Sequence, residues 1–265
     1  MYKVYLFLMI ALSVFSSGCI QSYYNVATQK EETYFYSDDK EVKIGKSLSV
    51  TVEKKFKPDK DPLVQQRVNH IGQKLVEVND RKEINYYFKV LESEKDEVNA
   101  FALPGGYVYI FRALWDEISD DDAKIAAVLS HEIAHIAARH SIKRMQSAVG
   151  ANVMSILILG STKVDQYSKH KAMVGINELI LSYSRQDEIE ADVLATKYLK
   201  GAGYNISGAA AVLDVLEKTQ RDKPIRPAHA RTHPYITERK KSVNQQINRG
   251  TIKFNDYINT VKTEE

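Results

Sequence analysis

The segment His131-Glu132-Ile133-Ala134-His135 follows the pattern H-E-x-x-H and decides how the rest of the chain is interpreted. Residues four apart on a helix differ by about 40° in azimuth, so the two imidazoles lie side by side. Two adjacent imidazoles can bind one Zn²⁺, and Glu132 between them can deprotonate a water that the metal activates. The pattern therefore predicts a zinc-dependent peptidase. The alternative is a helix with two surface histidines beside a solvated glutamate.

Acidic residues before the motif indicate where its helix begins. Ser119 and the aspartates at 120–122 supply an N-cap and a first turn rich in carboxylates, which the helix dipole favours. Apolar residues then recur at helical spacing over 125–129. We expect one helix that buries the motif and continues through His140 towards Met145.

Composition bounds the class of protein. The chain has 265 residues, of which 44% are hydrophobic and 27% charged, as expected for one sizeable globular domain. The formal net charge is only +3, and no basic block is interleaved with aromatic residues, so nucleic acid is not an expected partner. No apolar run reaches the roughly 18 residues that a membrane-spanning helix needs.

Residues 1–18 are predicted to be a lipoprotein signal peptide. Lys3 precedes an apolar run over residues 4–15, and small residues then lead to Cys19. Cys19 is the only cysteine, so it has no partner for an intramolecular disulfide. A cysteine after a small residue resembles the lipidation site of bacterial lipoproteins, and Ile20 after it favours the outer membrane in a Gram-negative cell. The alternative is an ordinary cleaved signal or a short anchor.

The rest of the chain is divided near two prolines. Residues 19–58 are polar and are predicted to be a tether and N-terminal extension, and residues 59–265 a zinc metallopeptidase domain. A helix is expected to begin near Asp61, with apolar residues at three- and four-residue intervals up to Asp80. A second apolar stretch at 149–160 is expected to be a core helix rather than a flap over the cleft.

Residues 99–111 predict a strand, a tight turn at Pro104-Gly105-Gly106 and a second strand. Proline cannot donate to a strand ladder, which keeps this segment near a sheet edge. An edge strand beside a metal site can pair with the backbone of an extended peptide substrate. The alternative is a hairpin that only completes a small sheet. The expected substrate edge consists of Asn99, Ala100, Phe101, Ala102 and Leu103.

A catalytic zinc site needs a third protein ligand and one open position. His140 follows His135 by five residues, so on a continuous helix it points to the far side from the motif. The segment also lacks a glycine that could interrupt the helix. His140 is therefore expected to make a structural hydrogen bond rather than to bind the metal.

The third ligand is predicted on the later helix over residues 181–199. On a helical wheel, Glu188 and Asp192 share a stripe of small and apolar side chains, whereas Glu190 lies on a wetter face. Buried carboxylates need a partner, which a metal and a ligating imidazole supply. We assign Glu188 to the metal and Asp192 to a bond that orients one of the motif histidines. The alternative is a charged helix paired internally through Arg185.

Three segments together resemble the gluzincin family of the CAAX prenyl proteases and HtpX. They are N-A-F-A-L-P-G-G at 99–106, H-E-I-A-H-I-A-A-R-H at 131–140 and S-R-Q-D-E-I-E-A-D at 184–192. Within this family the chain is most similar to bacterial periplasmic and lipoprotein members of the LoiP and BepA type, over about residues 60–245. The resemblance implies an α+β, mainly helical zincin-type domain with a small sheet or hairpin next to the active-site helix.

The resemblance also implies a site. One Zn²⁺ per chain would be bound by His131, His135 and Glu188. Glu132 would be the general base, and Asp192 would support the ligands.

A segment comparable to His233-Pro234 returns towards the cleft in the family. Our hypothesis is that His233 is catalytic and steadies the oxyanion, or that it occupies the open coordination position in a resting form. Arg239 would fix that loop. The alternative is a histidine that caps the next helix.

The expected function is zinc-dependent hydrolysis of peptide bonds in misfolded or unassembled proteins of the bacterial cell envelope. The expected partners are unfolded polypeptides and a membrane reached through the lipid anchor, with the outer membrane facing the periplasm as the location. One alternative is an envelope chaperone or assembly factor that uses the same cleft with little turnover. The other is a structural lipoprotein whose zinc only staples the fold.

Overall fold

The computed structural model describes residues 21–34, 36–95, 97–148, 183–222 and 232–249. Four predictions lie outside these residues: the signal peptide at 1–18, lipidation of Cys19, the apolar helix at 149–160 and the first two residues, 181–182, of the helix predicted to carry the third ligand. The described part is mainly helical with two small sheets, which confirms the predicted α+β class.

Five strands and eight helices make up this part. The strands are β1 (Gln21–Asn25), β2 (Lys30–Tyr34), β3 (Tyr87–Leu91), β4 (Ala100–Leu103) and β5 (Tyr107–Phe111). The helices are α1 (Asp38–Lys55), α2 (Pro62–Val76), α3 (Arg112–Ile118), α4 (Asp122–Ala137), α5 (His140–Ala148), α6 (Arg185–Gly201), α7 (Ser207–Asp222) and α8 (Ile236–Arg249). Among these eight helices, none is both long and apolar enough to cross a bilayer.

The three-stranded sheet has the order β3-β5-β4, with β3 parallel and β4 antiparallel to β5. The predicted turn joins β4 to β5, and both of its glycines have positive φ, 75° at Gly105 and 99° at Gly106. A Cβ on Gly106 would lie 2.0 Å from the Asn85 carbonyl oxygen, so only glycine fits there. Among the described residues β4 pairs only with β5, which makes β4 an edge strand.

Helix α4 lies at the centre of the fold. It begins after Asp121, whose side chain accepts a hydrogen bond from the backbone of Ala123. Every residue from Ile125 to Ala137 is buried, because α2, α6, α7 and β4 pack around the helix. A helix buried on all sides can carry polar side chains only where other elements provide partners for them.

The expectation of one continuous helix through His140 is wrong. Helix α4 ends at Ala137, and Arg139 adopts the left-handed conformation with φ 57° before α5 begins at His140. A non-glycine residue is strained there, but the Arg139 guanidinium lies 2.8 Å from the buried carboxylate of Glu41. Arg81 bonds to Glu41 and to the Ile136 carbonyl oxygen at 3.1 Å, which satisfies the end of α4.

The segment predicted as a tether and N-terminal extension contains ordered structure that packs on the rest of the domain. Strands β1 and β2 form an antiparallel hairpin, and the Asn25 amide donates to the Ala137 carbonyl oxygen at the end of α4. Helix α1 buries Ile44, Leu48 and Val52 against a cluster of aromatic side chains from β4 and β5. The polar composition of this segment reflects its outer face and a few buried polar residues, such as Asn25 and Glu41, that bond to the rest of the domain.

Candidate metal centre

Side chains from α4, α6 and the segment before α8 converge at one place in the interior. Helix α4 supplies His131 and His135, α6 supplies Glu188, and the segment before α8 supplies His233. All four are buried, and one potential ligand atom from each lies within 4.8 Å of the others. Glu132 is buried next to them and has only 2% of its surface exposed. The sequence named these five residues, and the fold brings them together.

The distances between donor atoms suit a small divalent cation. His131 Nε2 lies 3.1 Å from His135 Nε2 and 3.4 Å from Glu188 Oε2, and His135 Nε2 lies 3.5 Å from Glu188 Oε1. Zinc bonds of 2.0–2.2 Å in a tetrahedral arrangement separate the ligand atoms by roughly 3.3–3.6 Å. Imidazole nitrogens with a carboxylate oxygen are also donors that zinc accepts. The donor set therefore fits a metal ion.

The carboxylates of the site favour positive charge on His131, whereas burial and the charge of the neighbouring imidazole hold the pKa of His135 well below its usual range. Burial and Arg239 lower the pKa of His131, but the Asp192 and Glu188 carboxylates outweigh them and raise it to about 9. Burial raises the pKa of Glu188, but the charges of His233 and Arg239 outweigh it and hold that pKa well below its usual range. A site that stabilises a cationic imidazole in this way also suits a metal cation.

Three buried polar atoms of the site make no hydrogen bond of normal geometry within the described residues, although an arginine nitrogen lies 2.9 Å from one of them, Glu188 Oε2. They are Glu132 Oε2, Glu188 Oε2 and His233 Nε2. Buried polar atoms are almost always paired in native proteins, so their clustering here indicates a place for a metal, water or substrate. Burial also raises the pKa of Glu132, against the opposing charges of His233 and His131.

Asp192 and Arg239 lie behind His131. Asp192 Oδ1 is 2.9 Å from His131 Nδ1. The motif histidine that Asp192 orients is therefore His131. Both oxygens of Asp192 also accept bonds of 2.8 Å from the Arg239 guanidinium, whose Nη1 lies 2.9 Å from Glu188 Oε2. The side chain of Arg239 therefore pairs with the two carboxylates of α6, whereas the sequence had assigned it to the loop of His233.

His233 lies inside the site, where its Nδ1 is 3.0 Å from Glu188 Oε1 and its Nε2 is 3.5 Å from Glu132 Oε1. The neighbouring Thr232 anchors this segment, because its hydroxyl bonds to Asn99 and its carbonyl accepts from the Tyr183 backbone. The segment is thus tied both to the start of the edge strand and to the residue that precedes α6.

Two residues of the site surroundings were placed incorrectly from the sequence. His140 points back towards the motif because the chain breaks at Arg139, and its Nδ1 lies 2.8 Å from His135 Nδ1. Its Nε2 lies 2.9 Å from Glu190, which is only 4% exposed and not on a wet face. Burial raises the pKa of Glu190, but the hydrogen bond from His140 and the charge of Lys30 lower it overall. His140 thus makes the expected structural hydrogen bonds, and its partners are His135 and Glu190.

Tyr183 is a further neighbour that sequence reasoning missed. Its ring stacks on His135 at 3.8 Å between centroids with an interplanar angle of 18°, and its hydroxyl bonds to Ser141. It holds the imidazole plane but offers no polar atom to the cluster. A tyrosine just before an acidic helix carries no recognisable sequence signal of its own, so only the fold identifies this role.

The five residues of the predicted substrate edge are all buried. Asn99 and Ala100 line a cavity that also contacts His131 and Glu132, and apolar side chains of α4 and α7 form its other walls. The empty space amounts to about 550 Å³ including its open mouth. The strand and the cavity therefore lie next to the Glu132 carboxylate and the His131 imidazole.

Comparison with known proteins identifies the family. The sequence model described as Peptidase family M48 matches residues 62–247, which is more than half of the chain. The chain belongs to peptidase family M48. This confirms the resemblance that the three motifs predicted, over almost the same range.

Three curated M48 relatives are informative. The beta-barrel assembly-enhancing protease of Escherichia coli is 28% identical over 196 residues, 71% of this chain and 40% of that protein. Mitochondrial metalloendopeptidase OMA1 of Schizosaccharomyces pombe is 25% identical over 70% of this chain and 54% of its own length. Metalloprotease LoiP of Escherichia coli is 25% identical over 59% of this chain and 62% of its own length. The chain thus spans less than two thirds of each relative.

Membership of the M48 family supports a metal at this site. Two of the relatives are named as metal-dependent proteases, and the described residues include a group of histidines and one glutamate able to hold an ion.

Proposed function

We propose that this protein is a zinc-dependent endopeptidase of the bacterial cell envelope that hydrolyses peptide bonds of misfolded or unassembled envelope proteins. The observation that carries the proposal is the convergence of His131, His135 and Glu188 at tetrahedral spacing with Glu132 beside them. One zinc ion per chain would be held by the first three residues. When bound, zinc would supply Lewis acidity, which lowers the pKa of the attacking water and polarises the scissile carbonyl.

Glu132 would be the general base. Its carboxylate is buried and one of its oxygens has no hydrogen-bond partner among the described residues, so it is available to a water molecule. Burial raises its pKa towards the range in which a carboxylate both accepts and returns a proton. Glu132 would take the proton from the attacking water and later donate it to the leaving amine.

Support around the ligands would come from carboxylates that fix each imidazole. Asp192 accepts a hydrogen bond from the Nδ1–H of His131 and so directs the Nε2 lone pair towards the cluster. Arg239 balances the charge of Asp192 and Glu188, which together would otherwise be an unfavourable pair of buried anions.

The substrate would be an extended polypeptide recognised mainly through its backbone. Strand β4 is an edge of its sheet among the described residues but is buried, so a substrate would reach it through the cavity at Asn99 and Ala100, which also contacts His131 and Glu132. Strand addition at such an edge uses main-chain hydrogen bonds and suits substrates of varied sequence. The apolar walls of the cavity favour a hydrophobic side chain of the substrate, as unfolded proteins expose.

Two roles are open to His233. It would either stabilise the oxyanion or occupy the open coordination position in a resting form. Its Nδ1 lies 3.3 Å from His131 Nε2 and 3.0 Å from Glu188 Oε1, which favours the resting form. A substrate that displaces the ring would then open the coordination position, and the unbonded Nε2 already lies 3.5 Å from Glu132 Oε1.

The proposed location is the envelope, with the chain held to the outer membrane by a lipid on Cys19 and facing the periplasm. This rests on the sequence of residues 1–19 and on the bacterial relatives, one of which is named for beta-barrel assembly. Nucleic acid is not an expected partner, given a net charge of only +3.

Proteolysis and zinc content together test the proposal. Wild-type protein should cleave casein, lose this activity to a chelator and regain it with zinc, whereas Glu132→Gln should keep its zinc and lose at least about a hundredfold in rate. Exposed Glu238→Gln on α8 is the matched control and should cleave like wild type. Wild-type rates in the Glu132→Gln variant would reject the mechanism.

A second candidate function, an envelope chaperone or assembly factor with little turnover, is favoured by the name of the beta-barrel assembly-enhancing relative. It predicts that wild type and Glu132→Gln hold an unfolded outer-membrane protein equally well and suppress its aggregation, with no cleavage products from either. Cleavage by wild type at the rate of its turnover of casein would decide for the enzyme.

A further inference from the structure

We infer that His140 and Glu190 are positioning residues that fix the tautomer of His135, and that the N-terminal hairpin holds them in place through Lys30. The inference rests on the proposed zinc site and extends it outward to residues that are not among the proposed ligands. It begins with a chain of short contacts: His135 Nδ1 to His140 Nδ1 at 2.8 Å, His140 Nε2 to Glu190 Oε2 at 2.9 Å, and Glu190 Oε1 to Lys30 Nζ at 3.2 Å.

The chemistry of the groups sets the direction of this chain. An ionised carboxylate only accepts hydrogen bonds, so His140 must donate from Nε2 to Glu190. A neutral imidazole with its proton on Nε2 has an acceptor at Nδ1. His135 must then donate from its own Nδ1. Its Nε2 is left with a lone pair, which is what a metal ligand requires.

The geometry agrees with that direction. The Nε2 atom of His135 is the one that faces His131 Nε2, at 3.1 Å, and Glu188 Oε1, at 3.5 Å. The opposite tautomer would place a proton inside the cluster and leave two Nδ1 atoms facing each other as unprotonated acceptors. His140 and Glu190 thus do for His135 what Asp192 does for His131, with one imidazole inserted between the ligand and the carboxylate.

The position of Glu190 depends on the N-terminal hairpin. Lys30 begins β2, which lies outside the range matched by the family model, and reaches the Glu190 carboxylate from 160 positions away. Lys30 is 42% exposed at its side chain, whereas Glu190 is 5% exposed, so the lysine forms the outer cover of a buried acid. The Asn25 amide ties the same hairpin to the Ala137 carbonyl oxygen at the end of α4.

Zinc affinity measured by competition with a chromophoric chelator tests the inference on the full chain. His140→Phe keeps an aromatic ring but offers no acceptor, so zinc affinity should fall by about 10- to 100-fold, the usual effect of losing such an outer partner. His140→Asn places an acceptor near the former Nδ1 and should recover part of the loss. Glu190→Gln should weaken zinc less than His140→Phe, and Lys30→Met by about twofold to fivefold, since its charge is screened.

Control variants separate positioning from general damage. Exposed His70→Phe and the ion-pair variant Lys89→Met, which loses a contact with Glu53, should leave zinc affinity unchanged. Wild-type affinity in His140→Phe, or no gain from His140→Asn over it, would overturn the role of His140. Equal affinities in Lys30→Met and Lys89→Met would overturn the role of the hairpin.

Nitrogen-15 NMR of zinc-loaded wild type keeps the inference testable even where a variant fails to fold. Protons should be found on His135 Nδ1 and His140 Nε2, and an unprotonated His135 Nδ1 would overturn the proposal. A wild-type chain that binds no zinc would instead defeat the proposed function. Tight zinc binding and cleavage by wild type with unchanged affinity in His140→Phe would defeat this inference alone.

Discussion

The two motif histidines have the same task in the proposed site but different support. His131 is held by one direct bond to Asp192, and that carboxylate is locked by two bonds from Arg239. His135 is held by His140, and only the second residue outward is an acid. The support of His131 comes from helices α6 and α8 inside the family-matched range, whereas the support of His135 continues into the hairpin.

The difference shows how short-range and long-range parts of a sequence contribute to one site. Asp192 follows Glu188 by one helical turn, so a single periodicity places both on the same side of α6. The support of His135 requires a break after α4, a left-handed Arg139 and a hairpin from the far N-terminus. Each of these depends on tertiary contacts, so the support of His135 is the part that substitutions far from the motif can disturb.

The largest expected effect is on the break that brings His140 to His135. Glu41→Ala removes the buried acid that pairs with both Arg81 and Arg139, and leaves two buried guanidinium groups with reduced compensation. Breaking a buried pair from one side costs about 3–5 kcal/mol. We expect a loss of this size in the free energy of unfolding of the zinc-free protein, measured by urea denaturation.

Asp39→Ala on the same helix is the control, because Asp39 is exposed and a surface change of this kind alters stability by about 0.5 kcal/mol or less. Zinc affinity should also fall in Glu41→Ala more than in Asp39→Ala, since His140 moves with the end of α4. A Glu41→Ala protein as stable as Asp39→Ala would show that Glu41 does not stabilise the interruption at Arg139 between α4 and α5.

The next effect concerns the direct support of His131. Asp192→Asn keeps the shape but removes the charge that Arg239 and His131 share, so zinc affinity should fall by about 10- to 100-fold. Competition with a chelator measures it, with Glu238→Gln as the control. The loss should exceed that of Glu190→Gln, because Asp192 touches a proposed ligand directly. A larger loss of zinc affinity in Glu190→Gln would mean that the contacts from His135 through His140 to Glu190 contribute more to zinc binding than the direct contact of Asp192.

Much of the fold was predictable because local signals agreed with one another. The hairpin at 99–111 followed from two apolar runs around Pro104-Gly105-Gly106, and α2 from its apolar spacing after Asp61. Helix α4 was expected from its acidic first turn and its apolar residues. In each case the residues that decide the structure are within a dozen positions of one another.

The errors share a physical cause. The interruption at Arg139 was not foreseen because no glycine marks it, and the left-handed residue is stabilised instead by Glu41, 98 positions away. Glu190 was placed on a wet face because a helical wheel shows only the helix itself, whereas Lys30 and His140 cover that face. Periodicity describes what an element offers, and the partner that covers it comes from the rest of the chain.

The smallest expected effect tests whether the hairpin is attached through charge. Burial raises the pKa of Glu32, but the hydrogen bonds from Lys143 and Tyr34 outweigh it and lower that pKa below its ordinary value of 4.5. A carboxyl group whose pKa is lowered by folding adds stability above its unfolded pKa and loses it as the pH falls through the folded one. Glu32→Gln should therefore cost about 1 kcal/mol at neutral pH, because the Lys143 side chain is 31% exposed and water screens part of the charge interaction.

The difference in unfolding free energy between wild type and Glu32→Gln should shrink as the pH falls from 7 to 3, since protonation removes the same charge from the wild type. Glu31→Gln, on the same strand but exposed, is the matched control and should show no such convergence. A constant difference across this range would mean that Glu32 holds the hairpin by shape alone. In that case the charge of Lys30 on Glu190 would be the ionic link that joins the hairpin to the support of His135 within the described part of the chain.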